Sequence, residues 1–247
     1  MISSSKQQLN TYSTRQIAEY SGVCVNTVRN YEKYGFISKP KRANNGYRIF
    51  TDVHVLQMIL CRLIFAPPYI NPLIRKAAME VIYASANEDF VLCREQTEKY
   101  IEVIESELNK ANESVTALAN FRKAKNNNNY YDRKKAAVMI GTTVETIRNW
   151  ERNGLIFAVK KGKKSVYNQT EIDFMRLIYV LLSGGFNLQK IYDSLLFLRD
   201  AENEQAVEAL CDSHNYINLG NIEKNIIVRI EEVLDSAHKI RELLEKK

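Results

Sequence analysis

The stretch TVRNYEKYGFI, residues 27–37, returns 119 positions later as TIRNWERNGLI, residues 146–156. With the same offset, residues 12–37 align with residues 131–156, and ten of these 26 positions are identical. The offset is about half of the 247-residue chain, which is too long for a solenoid unit and typical of two copies of one domain. The sequence therefore predicts a duplicated domain.

The positive charge of the chain is concentrated in the two copies. Residues 12–65 carry 8 Lys and Arg against 3 Asp and Glu, and residues 131–180 carry 10 against 5, which is a balance of +5 in each segment within a total of +6. Two basic segments in an otherwise acidic chain indicate two surfaces that face a polyanion, because Lys and Arg supply most of the non-specific affinity for nucleic acid. Solvated charged helices would explain the total charge but not its segregation.

Other classes of protein are not indicated. No apolar run approaches the roughly 20 residues that span a bilayer, and the N-terminus MISSSKQQLN lacks the apolar stretch of a secretion signal, so a cytoplasmic protein is expected. The four cysteines form no Cys-x-x-Cys pair, which predicts neither a disulfide framework nor a metal ligand. The three histidines stand in unrelated contexts, and without a phosphate loop or nucleophile motif we expect no catalytic residue, no cofactor and no enzyme.

Each copy begins with the pattern of a helix-turn-helix. In the first copy, Ser13 is a good N-cap for a short helix over residues 14–20, and Gly22 permits the turn that ends it. Cys24 occupies the cap position of the second helix, where the other copy has Thr143, whose hydroxyl caps better. Two short helices joined by a glycine turn predict a second helix that enters the major groove of DNA.

The second helix of the first copy has a polar face. Asn26, Arg29, Asn30 and Lys33 lie three or four residues apart, and this combination of side chains suits contacts with phosphates and base edges. The basic stretch KPKRANNGYR, residues 39–48, has the turn residues of a β-ribbon and predicts a wing beside the helix.

Each half of the chain ends in a long helix with a heptad seam. Apolar positions at alternating spacings of three and four predict helices that pack as a coiled coil. The seam positions are Ile101, Ile104, Leu108, Ala111, Val115 and Leu118 in the first half, and Ile226, Ile230, Val233, Ala237, Ile240 and Leu244 in the second.

In order and spacing, STRQIAEYSGVCVNTVRNYEKYGFI followed by NGYRIF resembles the winged-helix DNA-binding domain of the MerR family of bacterial transcription regulators. That family typically shows T-[IV]-R-x-[YW]-E-x-x-G-[LF]-[IL] in the second helix and Arg-x-Tyr beyond the wing. The resemblance covers residues 12–85 and 131–198. It implies two domains that bind double-stranded DNA, with RNA polymerase as a further candidate partner.

The resemblance and the polar helix face together predict the side chains that face DNA. In the first copy they are Asn26, Thr27, Arg29, Asn30, Tyr31, Lys39, Lys41, Arg42 and Arg48, and in the second Glu145, Thr146, Arg148, Asn149, Trp150, Lys160, Lys161, Lys163 and Lys164. Many relatives have Tyr where this chain has Asn30 and Asn149. The second wing is also two residues shorter than the first, and Ser165 falls where the first copy has Arg48.

Four residues of the second helices have structural roles as the alternative to contacts with DNA. Tyr31 and Trp150 are alternatively core aromatics, since large rings on short helices often pack inward. Glu32 and Glu151 are expected to pair with a neighbouring Arg rather than to contact DNA. The histidines are expected at the surface or in helix packing.

The predicted fold is mainly α, with two winged helix-turn-helix domains, each followed by a long coiled-coil helix, arranged as an intramolecular pseudo-dimer. The predicted boundaries are an N-terminal tail (1–11), the first domain (12–90), a coiled-coil helix (91–125), an Asn-rich linker (126–130), the second domain (131–200) and C-terminal helices that include the second coiled-coil helix (201–247). A monomer is favoured, and a homodimer is the alternative.

The expected function is sequence-specific regulation of transcription. Family members dimerise to place two winged helices on DNA, so the resemblance implies that this chain uses its two diverged copies on an asymmetric or pseudo-palindromic operator and distorts promoter DNA. A nucleoid-associated cytoplasmic location follows from that function. The alternative is an architectural or DNA-maintenance protein, excisionase-like or chromosome-anchoring, that uses the same domains without regulating transcription.

Overall fold

The structure, a computed structural model, describes residues 10–67, 71–120, 129–162, 164–200 and 223–246. In chain order its elements are β1 (Thr11–Tyr12), α1 (Thr14–Ser21), α2 (Val25–Lys33), β2 (Lys41–Arg42), β3 (Arg48–Thr51), α3 (Asp52–Phe65), α4 (Pro72–Ala86), α5 (Phe90–Asn120), β4 (Tyr131–Asp132), α6 (Arg133–Ile140), α7 (Val144–Arg152), β5 (Val159–Lys161), β6 (Lys164–Tyr167), α8 (Gln169–Ser183), α9 (Leu188–Asp200), a π-helical turn (Glu223–Ile227) and α10 (Val228–Glu245). The mainly α, winged helix-turn-helix fold that the sequence predicts is confirmed.

The chain divides into two compact units. The first combines residues up to 69 with residues 73–104 and 232–247, and the second combines residues 70–72 with residues 105–231. Helix α5 therefore contributes its first half to one unit and its second half to the other. The predicted domain boundaries and the intramolecular pseudo-dimer stay predictions, and the predicted tail, the linker and the stretch 201–222 fall largely or wholly outside the described residues.

The two helix-turn-helix motifs are built from local signals. Ser13 caps α1 in a capping box, in which its hydroxyl accepts from the amide of Gln16 and its own amide donates to the Gln16 side chain. Gly22 then ends α1 with φ of 64°, a left-handed conformation that glycine adopts without a Cβ penalty. In the second unit Asp132 caps α6 by accepting from the amide of Lys135.

Each wing belongs to a three-stranded antiparallel sheet. The strand orders are β1-β3-β2 and β4-β6-β5, with Tyr12 opposite Phe50 in the first and Tyr131 opposite Tyr167 in the second. The sequence predicts the two ribbons but not β1 and β4. A two-residue strand is too short to show alternating hydrophobicity, and only its long-range pairing identifies it.

The same positions fill the two domain cores, although the residues differ. The matched buried pairs are Ile17 and Ala136, Val28 and Ile147, Ile37 and Ile156, Phe50 and Tyr167, Met58 and Met175, Leu60 and Leu177, and Ile64 and Leu181. The N-caps Thr51 of α3 and Asn168 of α8 fix the alignment of these two helices at an offset of 117 positions. This offset identifies which side chain of the second domain replaces which side chain of the first.

The long helices confirm one predicted seam and shift the other. All six predicted seam residues of the C-terminal helix, from Ile226 to Leu244, are buried. On α5, Ile101, Ile104 and Ala111 are buried, but Glu107 and Ser114 are buried where Leu108 and Val115 were predicted, and the burial of Leu118 is not described. The buried stripe turns by one position because the second half of α5 also packs against α8, as the hydrogen bond from Tyr179 to Glu107 shows.

The first half of α5 lies antiparallel to α10 within the first unit. Arg94 donates to the carbonyl of Leu244 at 3.5 Å, and Arg241 lies 3.6 Å from the carboxylate of Glu98, so residue numbers rise along one helix as they fall along the other. None of the described helices combines the length and the apolar content that crossing a bilayer requires.

The caps of α2 and α7 differ as the sequence predicts, and this difference has a measurable consequence. The hydroxyl of Thr143 accepts from the amide of Thr146 at 3.1 Å, whereas Cys24 makes no side-chain cap to α2. Since a good N-cap stabilises a helix by about 1 kcal/mol, we expect Cys24→Thr to raise the free energy of unfolding by about that amount. Denaturant unfolding measures the change. The reverse variant, Thr143→Cys, should lower stability equally, and equal stabilities of all three proteins would contradict the prediction.

Candidate nucleic-acid interface

Helix α2 buries one side and exposes a basic one. Val28 is fully buried, while Asn26, Arg29, Asn30 and Lys33 are exposed. Neither Arg29 nor Lys33 pairs with a carboxylate among the residues that the structure describes, although Lys33 Nζ lies 5.9 Å from the ring centre of Tyr34. Two side-chain cations on this face are therefore available for phosphate groups.

A concave surface extends the basic face towards the first wing. Its volume is about 720 Å³, and its lining includes Arg29, Lys33 and Lys39 together with the amides of Asn30 and Asn87. Asn87 lies in the corner between α4 and α5, and it was not predicted because nothing in its local sequence indicates that this corner borders the helix-turn-helix.

The first wing exposes three of its predicted DNA contacts and one residue that was not predicted. Lys39, Lys41 and Arg42 are exposed, and Arg42 Nη1 donates within the hairpin to the carbonyl of Gly46 at 3.1 Å. Tyr47 beside the turn is 74% exposed. Its position in the turn sequence NNGYR was the signal that could have identified it.

The fourth predicted wing residue, Arg48, lies in an ion pair. Its Nε donates to Glu32 of α2, and both side chains are largely buried. The pair joins the helix to strand β3, as the sequence predicts for Glu32. Arg48 therefore orients the wing relative to α2, and a contact between Arg48 and DNA stays a prediction.

In the second domain the equivalent glutamate takes a different partner. Glu151 accepts from Arg133 Nη2 at 2.6 Å and from the hydroxyl of Tyr167 at 3.1 Å. Ser165 occupies the position that matches Arg48, and its side chain is uncharged. Arg133 at the start of α6 supplies the positive charge instead. The predicted role of Glu151 is confirmed with an arginine that the sequence did not single out.

The two predicted aromatic contacts serve packing. Trp150 is only 3% exposed. Tyr31 is half-buried, with its ring centre 5.8 Å from Phe36 and 5.7 Å from Phe65, and burial raises the pKa of its hydroxyl. The core-aromatic alternative describes both rings, and Trp150 offers almost no surface to a ligand.

Helix α7 carries an ion-pair ladder on its exposed face. Glu145 Oε2 accepts from Arg148 Nη1 at 3.0 Å, and Glu145 Oε1 accepts from Arg152 Nη2 at 3.0 Å. The hydrogen bond and the positive charge of Arg148 lower the pKa of the Glu145 carboxyl. One carboxylate thus engages both arginines, and with Arg133 and Glu151 they line a concave surface of about 630 Å³.

The remaining predicted contacts of the second domain lie on the same helix and on its wing. Asn149 is exposed and accepts from the side chain of Asn153 at 3.1 Å. Lys160 donates to Ser165 Oγ at 2.8 Å, and Lys161 Nζ lies 3.4 Å from the ring centre of Tyr130. Lys164 is exposed, and Lys163 lies outside the described residues.

Thr27 and Thr146 occupy matching places at the start of their helices. Thr27 Oγ1 contacts Cys24 Sγ at 3.1 Å, and Thr146 Oγ1 contacts Thr143 Oγ1 at 2.8 Å. Both hydroxyls therefore have a partner in the turn before the helix. DNA contact by these and by the other predicted site residues stays a prediction.

A neutral histidine, His54, contacts the segments that enter and leave the first wing, at Ser38 and Thr51. The amide of Thr51 donates to His54 Nδ1 at 3.0 Å, and His54 Nε2 lies 3.3 Å from Ser38 Oγ, which itself donates to Gln57 at 3.1 Å. Because Nδ1 accepts, the ring proton resides on Nε2. In the second domain Glu171 replaces His54 and accepts from the amide of Phe157 at 2.9 Å.

This histidine is expected to make the first domain sensitive to acid. Burial lowers the pKa of His54 below its ordinary 6.5, against the opposing charges of Glu88 and Glu32. A lowered folded-state pKa means that the stabilisation is complete above the unfolded pKa and is lost as pH falls through the folded one. We expect the free energy of unfolding of the wild type to fall more steeply between about pH 7 and about pH 5 than that of His54→Gln. Parallel pH profiles in denaturant unfolding would show that His54 contributes nothing.

Among the described residues, no group of three or more His, Cys, Asp or Glu side chains is arranged to hold a metal ion. Cys61 and Cys93 are buried, and burial raises the pKa of these thiols to about 12 and about 11. Cys24 is exposed. The buried thiols are core side chains rather than reactive groups.

Two segments of the chain match known protein families. Residues 13–50 match the family model described as MerR family regulatory protein. Residues 123–197 match the family model described as MerR HTH family regulatory protein. The first match lies within the first copy of the repeat, and the second match contains the second helix-turn-helix and its wing. No curated protein and no solved structure matches the chain.

Proposed function

We propose that this chain, a MerR-family DNA-binding transcription regulator with a duplicated DNA-binding region, reads one double-stranded operator with two recognition helices of different specificity. The recognition helices are α2 and α7. The observation that carries the proposal is the exposed face of the two helices, where Glu145 of α7 replaces Asn26 of α2. The two cations beside this position are kept, as Arg29 and Lys33 on α2 and as Arg148 and Arg152 on α7.

The two faces differ in their available charge. On α2 the nearby carboxylate of Glu32 pairs with Arg48. Within the described part of the chain neither Arg29 nor Lys33 forms an ion pair, so both are available to phosphates. On α7, Glu145 bridges both arginines at 3.0 Å, which cancels one of the two positive charges. The helix α2 should therefore contribute more of the salt-dependent affinity, because each phosphate that a cation neutralises releases counterions.

The same difference supports different base preferences. The amide of Asn26 can both donate to and accept from a base edge, whereas the carboxylate of Glu145 only accepts and is repelled by phosphate. A cytosine amino group is a donor that such a carboxylate can meet in the major groove. We infer half-sites of unequal sequence, which a homodimer with two identical helices would not need.

A covalent link between two DNA-binding domains makes one chain sufficient for both half-sites. Tethering raises the effective concentration of the second helix once the first has bound. The proposed species is a monomer that distorts promoter DNA between the half-sites, with RNA polymerase as the partner that responds. Light scattering should give the chain mass of 28.6 kDa. Twice that mass would show that the chain is a homodimer and would contradict the proposed monomer.

Footprinting and run-off transcription on the DNA upstream of the protein's own gene test the regulatory role. We expect protection between the promoter elements and a change in transcript yield when the protein is added. Protection scattered along the fragment, with an unchanged yield, would instead support an architectural or DNA-maintenance protein. Absence of protection on every duplex tested would contradict DNA binding by this chain.

A further inference from the structure

A cation lies against the turn glycine of each helix-turn-helix, but the two domains obtain it from different places. In the first domain Arg62 of α3 donates from Nη1 to the carbonyl of Ser21 at 3.0 Å. A Cβ added to Gly22 would lie 2.6 Å from the same Nη1. The guanidinium therefore packs on the glycine that ends α1, where a positive charge also meets the negative end of the helix.

The second domain cannot use the same residue. With the offset of 117 positions between α3 and α8, Tyr179 stands where Arg62 stands. Tyrosine has no positive charge, so α8 supplies no cation at this position. The matching glycine is Gly141, which ends α6 with φ of 73°.

Helix α5 supplies the missing cation. A Cβ added to Gly141 would lie 3.0 Å from Lys110 Nζ. Lys110 is held there by Glu107, whose Oε1 accepts from Lys110 Nζ at 2.7 Å, and by Tyr179, whose ring centre lies 4.7 Å below the ammonium. Lys110 thus places a cation beside Gly141 from another helix, although its own hydrogen bonds go to Glu107 and Tyr179 rather than to a turn carbonyl.

The group that holds Lys110 is a buried and satisfied network. Glu107 is 4% exposed, and its Oε2 accepts from Asn71 Nδ2 at 2.8 Å. The single proton of the Tyr179 hydroxyl is shared between the two carboxylate oxygens, which lie 3.1 and 3.2 Å from the hydroxyl oxygen. Burial alone would lower the pKa of Lys110, but the hydrogen bond and charge of Glu107 outweigh it and raise that pKa, which keeps the ammonium charged. Buried polar groups are costly unless they are paired, so these hydrogen bonds favour the observed position of Lys110.

We propose that Lys110 and Glu107 are positioning residues for the second recognition helix, because they fix the turn between α6 and α7 from helix α5. The turn of the first domain is fixed from within that domain by Arg62. The turn before α7 is therefore held from α5, whereas the turn before α2 is held from α3. This inference rests on the proposed function only where it concerns DNA.

Amide hydrogen exchange of the full chain tests the turn without DNA. In Lys110→Met we expect residues 138–143 to exchange about tenfold faster, while residues 19–24 of the first turn keep their wild-type rate. The matched control, Arg62→Met, should produce the opposite pattern. Unchanged exchange in residues 138–143, or equal acceleration in both turns, would overturn the inference.

A second variant separates positioning from a general loss of packing. In the double variant Lys110→Met with Tyr179→Arg, the new arginine occupies the position on α8 that matches Arg62 on α3. Its guanidinium would lie beside the carboxylate of Glu107. We expect it to restore exchange in residues 138–143 to within about threefold of the wild type. If the double variant folds, as judged by circular dichroism, and exchange stays fast, the inference is wrong.

The DNA test uses a duplex enriched from a random pool by the wild-type chain. Lys110→Met should weaken protection of the half-site bound by α7 about tenfold and leave the other half-site unchanged. Equal weakening of both half-sites would contradict the positioning role. Failure of the wild type to enrich any duplex would count against the proposed function, and the exchange measurement would still decide the inference.

Discussion

Replacing Arg199 by Met is expected to lower the free energy of unfolding by about 3 kcal/mol, because the change leaves a carboxylate buried without its cation. Arg199 Nη1 and Nη2 donate to Glu171 at 2.6 and 3.0 Å, and Nη2 also donates to the carbonyl of Leu155 at 3.1 Å. The two side chains of the pair are only 18% and 8% exposed. The guanidinium also lies 4.1 Å from the ring centre of Phe174, so its loss removes a cation–π contact as well.

Denaturant unfolding compares Arg199→Met with two controls. Arg241→Met breaks the half-exposed pair with Glu98 and should cost less than about 1 kcal/mol, since exposed ion pairs contribute little. The double variant Arg199→Met with Glu171→Met leaves no charge buried and should regain part of the lost stability. If Arg199→Met is as stable as Arg241→Met, the buried pair contributes no more to the stability than the exposed one.

Exchanging the residues at positions 26 and 145, which match on α2 and α7, is expected to change the affinity for DNA strongly. Asn26→Glu places a carboxylate beside Arg29 and Lys33 and reproduces the ladder of α7. We expect it to weaken DNA binding about tenfold at low salt and to reduce the magnitude of the salt slope by about one, as the loss of one phosphate contact would. Glu145→Asn should do the reverse, because it releases Arg148 and Arg152.

Fluorescence anisotropy over a range of salt concentrations measures both quantities on a duplex enriched from a random pool. A chain with both changes has the wild-type total charge and should show a near wild-type salt slope with altered sequence preference. Equal affinities and slopes for all four proteins would show that these faces do not meet DNA.

Local signals predicted the helix-turn-helix motifs because each depends on residues close in sequence. The cap at Ser13, the left-handed turn at Gly22 and the better cap at Thr143 are all formed by neighbours within four positions, and each is present. The first wing was predicted for the same reason, since Asn and Gly mark its hairpin turn directly, and the second wing was predicted from its match to the first copy.

Partners that are distant in sequence could not be predicted. The sequence indicates that Glu32 and Glu151 pair with an arginine, but not that the first uses Arg48 and the second Arg133, because that choice depends on the three-dimensional path of the wing. The burial of Glu107 also cannot be predicted from the residues around it in the sequence. A heptad pattern predicts an apolar seam, and only the packing of α5 on α8 explains why a carboxylate lies there.

Selection of duplexes from a random pool by the full chain, followed by sequencing and hydroxyl-radical footprinting of the enriched DNA, tests whether α2 and α7 read half-sites of different sequence. We expect one chain per duplex and two protected half-sites of different sequence, and we expect replacement of Glu145 by Asn to change the sequence selected at one of them. Two identical inverted half-sites, or a single protected half-site, would show that the chain does not read DNA with two recognition helices of different specificity.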